Sequence, residues 1–411
     1  MAQTYKFGNG QWATKKGSTL AYSDTNNAFK PLPFSFERNS IATRVNKEGL
    51  IEVVGNDIPR IDYTDSTEGA LLLENSSTNL VTYSEAFDNA YWTKSGSSVV
   101  SGFTSPKGDL SAFKLVEDTS TGVHRVQRAV TTSGSGSFSY SVFLKKGERT
   151  NVLLDVFNSG GAEFDLENGL ILSSTSTSSN IEPFANDWYR CTISGTLSST
   201  STTIYLYLRD GGSYQGDGTS GVYIYGAMLE ANSVASSYIP TNGSTVQRAA
   251  ETCNESGNSE VFNSEQGVLF ADIAANANDL TDRLITVSNG TTNNRLIIQY
   301  SGVSNEISCN MVSGGSARGK LSQVLTNITS FTKVAVKYSD TNFDLYINGF
   351  LTNSSGSGSV MAANTMNELQ LANYNGTLPF YSKTKEIGYY DSELTDSELE
   401  TLTSYRSLNE M

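Results

Sequence analysis

The chain has 411 residues, a length that predicts roughly two to four domains rather than one. Its 36 glycines, 7 prolines and long Ser-, Thr- and Asn-rich stretches are typical of short strands joined by polar turns, so we predict an all-β fold. The formal charge of -14 argues against binding along nucleic-acid phosphates, because such binding needs clustered lysine and arginine. No nucleic-acid partner is expected.

The sequence contains no pattern of a secretion signal or a membrane span. Met1 to Lys16 lacks the apolar core of a signal peptide, and no segment reaches the roughly 20 apolar residues that cross a bilayer. We therefore expect synthesis in a cytoplasm and no membrane insertion. Cys191, Cys253 and Cys309 are odd in number and widely separated, which predicts buried thiols rather than a disulfide framework or a zinc site.

Residues 1–80 hold isolated aromatic side chains in a polar chain, with short extended pieces such as Ile51 to Val54 and Ala70 to Leu73. Few of these pieces could close a hydrophobic core alone. We predict that residues 1–80 are an adaptor that attaches the protein to a neighbouring module, another copy of the chain or a larger particle. An N-terminal cap on the next domain is the alternative.

Residues 81–241 show the alternation of apolar and polar side chains that β-strands need in a sandwich or jelly roll. The predicted strands are Phe138 to Lys145, Val152 to Phe157, Trp188 to Ile193, Ile204 to Leu208 and Val222 to Met228. Glu167-Asn168-Gly169 predicts a hairpin turn, because an Asn-Gly pair tolerates positive φ. Pro240 ends this module, and the polar residues 242–259 are predicted to be a linker.

Residues 260–411 have the clearest local pattern. The alternating runs Lys333 to Tyr338 and Phe343 to Ile347 predict a hairpin, and Asn348-Gly349 predicts the next turn.

A short helix is predicted near the C-terminus. Thr395 and Glu398 have the spacing of a capping box, and Leu394 and Leu399 that of a hydrophobic staple. The helix should begin at Thr395.

Two runs in this part, Lys333 to Gly349 and Lys385 to Leu399, resemble the concanavalin A-like lectin and laminin-G-like fold. In that family a strand pair ends in an Asn-Gly or Asp-Gly turn, and a closing strand leads into a short helix with leucines and acidic residues. The resemblance implies a lectin-like domain at residues 260–411. We expect tandem antiparallel β-sandwich (jelly-roll) modules, the last one concanavalin A-like, with one short C-terminal helix.

The N-terminal and middle parts resemble modular bacteriophage tail and head-fibre proteins. The likeness is carried by Ile41 to Leu50, Pro59 to Tyr63, Leu71 to Glu74, Thr78 to Leu80, Tyr83 to Phe87, Tyr91 to Lys94, Trp188 to Cys191, Tyr223 to Glu230 and Ser237 to Thr241. The resemblance implies an oligomeric virion appendage with carbohydrate-binding-like modules for adhesion.

We therefore expect a structural protein of a bacteriophage virion, such as a tail fibre, spike or head fibre, that adheres to host surface glycans. It should form a homotrimer and contact other virion proteins through residues 1–80. A capsid decoration protein without a host ligand is an alternative.

Tyr205, Tyr207 and Asp210 are the predicted carbohydrate-binding residues. The two tyrosines lie on the opposite strand face from the aliphatic residues between them, and Asp210 opens the loop that follows. Aromatic faces beside polar groups are what sugar binding needs. Packing of the tyrosines on a second sheet or on a neighbouring subunit is the alternative.

Glu163-Phe-Asp-Leu-Glu167 is the sharpest enzymatic pattern. On one strand these acidic residues share a face, similar to the Glu-x-Asp-x-Glu strand of laminarinase-like retaining glycoside hydrolases. In that family the first Glu would be the nucleophile and the last the acid/base. The other interpretation is that these residues form a solvated face on a hairpin strand, and on that interpretation we expect no enzyme. A polysaccharide depolymerase using Glu163 and Glu167 is the alternative.

His124 is the only histidine, and no nucleophile elbow accompanies it, so we predict a structural, hydrogen-bonded role. No cofactor is expected. Oxygen-rich groups at residues 340–344 and around Asp210 and Asp217 leave calcium binding open, although turn formation explains both groups more simply.

Overall fold

The computed structural model describes residues 5–8, 13–15, 17–23, 28–132, 134–209 and 211–405. These residues form an all-β protein, as predicted, with a short α-helix, α1 (Asp396–Thr403), close to the C-terminus. No helix in these ranges is long and apolar enough to cross a bilayer.

The strands are short and follow one another closely along the chain. Those up to residue 131 are β1 (Tyr5–Gly8), β2 (Ala13–Lys15), β3 (Ser18–Ser23), β4 (Ala28–Glu37), β5 (Ala42–Val45), β6 (Ile51–Val54), β7 (Arg60–Asp62), β8 (Ala70–Leu72), β9 (Ser77–Asn79), β10 (Thr93–Ser95), β11 (Ser97–Phe103), β12 (Ala112–Glu117), β13 (Thr121–Gly122) and β14 (Arg125–Thr131). Those up to residue 254 are β15 (Gly136–Lys146), β16 (Asn151–Val156), β17 (Gly160–Asp165), β18 (Leu170–Ser174), β19 (Ser178–Phe184), β20 (Trp188–Leu197), β21 (Ser201–Leu208), β22 (Tyr214–Gln215), β23 (Gly221–Glu230), β24 (Val246–Arg248) and β25 (Thr252–Asn254). The remaining strands are β26 (Gly267–Ala275), β27 (Arg283–Ser288), β28 (Arg295–Tyr300), β29 (Glu306–Ser313), β30 (Ser316–Val324), β31 (Thr332–Tyr338), β32 (Phe343–Ile347), β33 (Phe350–Ser354), β34 (Glu368–Gln370) and β35 (Ser382–Tyr390).

The chain divides into two compact units. The first, which we call the terminal unit, takes residues 1–40, 55–75 and 250–411. The second, the middle unit, takes residues 41–54 and 76–249.

The middle unit is a sandwich of two antiparallel six-stranded sheets. We call the sheet β10-β14-β21-β16-β17-β18 the open sheet and the sheet β11-β12-β23-β15-β20-β19 the covered sheet. Alternate side chains of both sheets meet in one core, as period-2 patterning requires. The core includes Val126, Tyr140, Val142, Leu144, Val152, Leu154, Ile193, Ile204, Leu206 and Leu208.

Within the described residues of the middle unit, one of the two outer faces of this sandwich is covered and the other is not. Phe143, Trp188 and Tyr225 on the outside of the covered sheet pack with Ile51 and Tyr238 in a second apolar cluster. Segments that precede and follow the sandwich strands therefore close the outside of the covered sheet. The outer face of the open sheet carries partly exposed side chains instead.

The terminal unit also packs two antiparallel sheets around one apolar core. The larger sheet has the order β25-β4-β3-β1-β35-β26-β31-β32-β33, joined by β2, β7 and β8, and the smaller has the order β30-β29-β28-β27-β34. Asn348 and Gly349, with φ of 50 and 89°, make the predicted turn between β32 and β33.

Helix α1 begins as the sequence predicts. Thr395 Oγ1 accepts the Glu398 N–H at 3.3 Å, while the Thr395 N–H donates to Glu398 Oε2 at 2.8 Å. Leu399 is buried against Phe270 and Tyr346 on the larger sheet, with Leu394 beside them. The capping box and the apolar contact are both confirmed.

A buried ion cluster joins three separated segments of the terminal unit. Glu251 Oε1 accepts from Arg38 Nη1 at 2.7 Å and from Arg60 Nε at 2.8 Å. Glu74 Oε2 lies 2.9 Å from Arg60 Nη2, and the Glu74 N–H donates to Glu251 Oε2 at 2.9 Å. Burial lowers the pKa of Arg60, but the charges of Glu251 and Glu74 outweigh it and raise that pKa above its usual value.

The unit boundaries differ from the domain boundaries that we predicted at residues 80, 241 and 259. Residues 55–75 belong to the terminal unit because β8 pairs with β35, and because Arg60 and Glu74 bind Glu251. The expected linker 242–259 contains β24, which pairs with β9, and β25, which pairs with β4. Such pairings join residues that are far apart in sequence, so local patterns do not show them. Attachment through residues 1–80 stays a prediction.

Glu251→Ala should lower the free energy of unfolding of the terminal unit by about 3–5 kcal/mol, because two buried guanidinium groups each lose a carboxylate partner. Denaturant unfolding followed by circular dichroism measures this change. The control Glu265→Ala removes an exposed carboxylate and should shift stability by less than about 0.5 kcal/mol. Equal stability of the two variants would contradict a central role for the cluster.

Candidate functional site

Tyr205 and Tyr207 lie on β21, near the middle of the open sheet. Their aliphatic neighbours on the strand are buried in the sandwich core, whereas both tyrosines are half-buried on the outer face. The predicted alternation is therefore confirmed, and within the middle unit the tyrosines do not pack between the sheets. Asp210, the third predicted residue, lies outside the described residues.

The two tyrosine rings form one continuous aromatic surface. Their centroids are 5.4 Å apart with an interplanar angle of 25°. Arg125 of β14 places its guanidinium carbon 5.0 Å from the Tyr205 centroid and 5.3 Å from that of Tyr207. Arg125 Nη1 also donates to the Tyr207 hydroxyl at 3.1 Å. Cation–π contacts and this hydrogen bond restrict both rings.

Strand pairing places polar groups on both sides of the aromatic surface. Gln127 is opposite Tyr205 on one neighbouring strand, and Asp155 is opposite it on the other. Directly opposed residues of antiparallel strands point to the same sheet face. The next row contains Arg125, Tyr207, Leu153 and Glu163. We call these seven residues the tyrosine face: Arg125, Gln127, Leu153, Asp155, Glu163, Tyr205 and Tyr207.

Hydrogen-bond acceptors of the tyrosine face are partly buried and so partly shielded from water. Burial raises the pKa of the Asp155 carboxyl, and a hydrogen bond from the Val156 backbone offsets only part of that effect. Burial also raises the pKa of Tyr207, against the opposing charge of Arg125. The amide oxygen of Gln127 is buried and has no hydrogen-bond partner within the described part of the chain. Polar groups held in this way favour a ligand that hydrogen-bonds to them.

The loop after β21 borders the tyrosine face. Gly211 has φ of +80°, and a Cβ there would come within 2.9 Å of Leu153 Cδ2 and 3.5 Å of Tyr207 Cγ. Further along, Tyr214 donates to Glu117 Oε2 at 2.7 Å and carries the Arg209 guanidinium 4.4 Å above its ring. The loop is thereby anchored close to the aromatic surface.

Comparison with known proteins identifies the lectin-like part of the chain. A family model described as the concanavalin A-like lectin/glucanases superfamily matches residues 273–400, which lie in the terminal unit. The chain contains a concanavalin A-like lectin/glucanase domain. The expected C-terminal fold is confirmed in this form. No curated protein matches the chain in sequence.

Several solved structures of binding modules are similar to parts of this chain. The carbohydrate-binding module (CBM40) of the Ruminococcus gnavus IT-sialidase, solved with α2,3-sialyllactose, is 16% identical, with a TM-score of 0.31, over 37% of this chain and 94% of that one. Domain 4 of an extracellular arabinanase from Geobacillus stearothermophilus, solved with arabinotriose, is 13% identical, with a TM-score of 0.31, over 42% and 84%. The binding domain of botulinum neurotoxin serotype G is 16% identical, with a TM-score of 0.29, over 37% and 39%.

The expected pairing of Glu163 and Glu167 on one strand is wrong. Strand β17 ends at Asp165, whose Oδ1 accepts the Glu167 N–H at 2.8 Å and so starts the turn. Glu167 lies in that exposed turn and is bound by Lys146 Nζ at 2.6 Å. Glu163 remains on the strand and accepts from Asn151 Nδ2 at 3.3 Å. The hairpin predicted at these residues is confirmed by the pairing of β17 with β18.

His124 is fully buried, and its ring nitrogens face the backbone carbonyls of Gly96 and Tyr214. This confirms the predicted structural role. The three cysteines are likewise buried, as predicted.

The two groups considered for calcium hold strands and turns together. Asp217 accepts from the Ser220 hydroxyl at 2.6 Å and from the Thr219 N–H at 2.8 Å, and these bonds lower the pKa of its carboxyl. Asp344 Oδ1 accepts from the Ser354 hydroxyl at 2.5 Å. In the part of the chain that the structure describes, no cluster of three or more His, Cys, Asp or Glu side chains could hold a metal ion.

Sequence reasoning missed Arg125, Gln127 and Asp155. A signal was present, because Arg125 and Gln127 flank a buried valine on their strand, and Asp155 is flanked by buried aliphatic residues. Alternation alone could have placed each of them on the outside of a sheet. It could not have placed them beside Tyr205 and Tyr207, since cross-strand register is set by the fold.

Asp155→Asn should raise the melting temperature at pH 7. The folded chain raises the pKa of Asp155. The stability from this group is therefore present below its unfolded pKa of about 3.9 and is lost as pH rises through the folded value. The amide cannot ionise, so the increase in melting temperature over the unchanged protein should disappear towards acidic pH. Scanning calorimetry measures this difference. The control Asp88→Asn, at an exposed position, should show no such pH-dependent gain. A lower melting temperature for Asp155→Asn at pH 7 would contradict this account.

Proposed function

We propose that this protein binds glycans without cleaving them, and that the tyrosine face of the middle unit is a binding site. One observation carries the proposal. Two restrained, half-buried tyrosine rings lie side by side, and Tyr205 lies between the amide of Gln127 and the carboxylate of Asp155. The lectin/glucanase domain in the terminal unit supports it independently.

The chemistry of the tyrosine face favours neutral sugars. The apolar face of a pyranose ring packs on the tyrosine rings, while its hydroxyl groups donate to Asp155 and accept from or donate to Gln127. The carboxylates of Asp155 and Glu163, in a chain with a formal charge of -14, repel anionic glycans. Arg125 already binds the Tyr207 hydroxyl and stabilises both rings.

We also propose that the protein is a structural component of a bacteriophage virion. The resemblance of the N-terminal and middle segments to tail and head-fibre proteins supports an oligomeric appendage, for which it implies a homotrimer. Residues 1–80 would contact other virion proteins, and the sandwiches would meet host surface glycans. Immunogold electron microscopy of intact particles tests this placement, and a protein found only free in the lysate would contradict it.

Tyr205→Ala and Tyr207→Ala should each weaken binding to a neutral polysaccharide by about tenfold, since each removes an aromatic surface worth roughly 1–2 kcal/mol. Glycan-array screening followed by titration calorimetry measures the change, with a sulfated polysaccharide as the anionic comparison.

Phe350→Ala is the matched control, because it removes an aromatic ring that is 72% exposed in the terminal unit. It should leave binding unchanged. Unchanged affinity in both tyrosine variants, or tighter binding of the sulfated polysaccharide, would count against the tyrosine face.

Incubation with the bound polysaccharide should release no reducing ends, because Glu167 is tied to Lys146 in a turn and is not paired with Glu163 on a strand. A reducing-sugar assay on the unchanged protein and on Glu163→Gln measures this. Release that is lost in Glu163→Gln would establish the depolymerase alternative.

A further inference from the structure

Strand β18 carries three consecutive exposed aliphatic side chains at the end of the open sheet. Leu170, Ile171 and Leu172 are 54, 39 and 47% exposed. Ile171 is opposite Phe164, which is buried in the core, so even the residue on the core-facing side of β18 stays accessible. A register shift leaves Leu172 between the paired residues Ile171 and Ser173, without a partner of its own on β17. Runs of exposed apolar residues on a sheet edge are rare unless another surface covers them.

One side of β18 has backbone groups available for a further strand. It pairs with β17, and no second strand among those described pairs with it. Three other edge strands carry side chains that oppose pairing: Lys94 in β10, Pro183 in β19, and Arg318 and Lys320 in β30. Charged residues and proline are the usual means of keeping sheet edges apart. Strand β18 contains neither.

The strip around β18 is also free of charge. Residues 168–181 contain no Asp, Glu, Lys or Arg, although the whole chain has a formal charge of -14. Copies of such an acidic chain repel one another over most of their surface. An uncharged strip with exposed aliphatic side chains is where two copies can approach without that repulsion.

We propose that β18 is a self-association surface whose occupant is β18 of a second copy of this chain. The two strands run antiparallel about a two-fold axis near Ile171. Ile171 then meets its own counterpart, and Leu170 of each copy meets Leu172 of the other. A two-fold contact uses the same surface on both copies. Each copy has one such uncharged strip, so the strip of one copy can pack against the strip of the other.

This contact is independent of the tyrosine face and of glycan binding. It is also distinct from a homotrimer, because a closed trimer joins two different surfaces on each copy, whereas paired identical strands join one. The two arrangements predict different masses in solution.

Light scattering coupled to size-exclusion chromatography tests the contact across a dilution series. The unchanged protein should form an even-numbered assembly, and Leu172→Asp should weaken it by about 100-fold, because each copy then buries a carboxylate against Leu170 of the other in an apolar contact. Val303→Asp is the matched control, since Val303 is 50% exposed in a bend of the terminal unit and gains the same charge. It should assemble like the unchanged protein.

Cross-linking tests the axis directly and does not depend on how Leu172→Asp folds. Ile171→Cys should form a disulfide-linked dimer under mild oxidation, because the native cysteines are buried and only the new thiol is accessible. Val303→Cys should not. A monomer at all concentrations, assembly of Leu172→Asp equal to that of the unchanged protein, or a trimer in which Ile171→Cys does not cross-link would each overturn the proposal while leaving glycan binding untouched.

Discussion

The buried carboxylate of Glu251 is the constraint on which the terminal unit depends. It binds Arg38 and Arg60, and through Arg60 it is linked to Glu74, so segments separated by most of the chain meet at one point. Desolvating such charges is costly unless each keeps its partners, and here the two guanidinium groups and the two carboxylates balance. Residues 1–40 and 55–75 therefore belong to the same unit as the lectin/glucanase domain. Residues 41–54 and 76–249 form a separate sandwich.

In the middle unit, the two outer faces of the sandwich differ in how far their side chains are exposed. The outside of the covered sheet is filled by Phe143, Trp188 and Tyr238 in an apolar cluster, whereas the open sheet presents Tyr205 and Tyr207. The Asp155 carboxylate is retained there although burial disfavours its charge. The proposed glycan site and the proposed self-association surface lie on different parts of the same sheet, its centre and its edge.

Local patterns predicted individual elements well and their neighbours poorly. The hairpin turns at Asn168 and Asn348 and the helix start at Thr395 follow from a few adjacent residues, and all three are confirmed. Glu167 was misplaced because Asp165 captures the following backbone N–H groups and ends the strand before the third acidic residue. Two of the seven residues of the tyrosine face were predictable from the alternation of β21, and the place of the other five depends on which strands lie beside it.

The sequence by itself determined the fold class, most strands of the two sandwiches and the outward direction of Tyr205 and Tyr207, because a strand's faces are set by a two-residue period within the strand. Only the tertiary structure decided that Arg125, Gln127 and Asp155 surround those rings, and that residues 55–75 join the terminal unit. Strand order and register arise from contacts between residues far apart in the chain. A one-residue slip in pairing would have turned every one of these side chains to the other face.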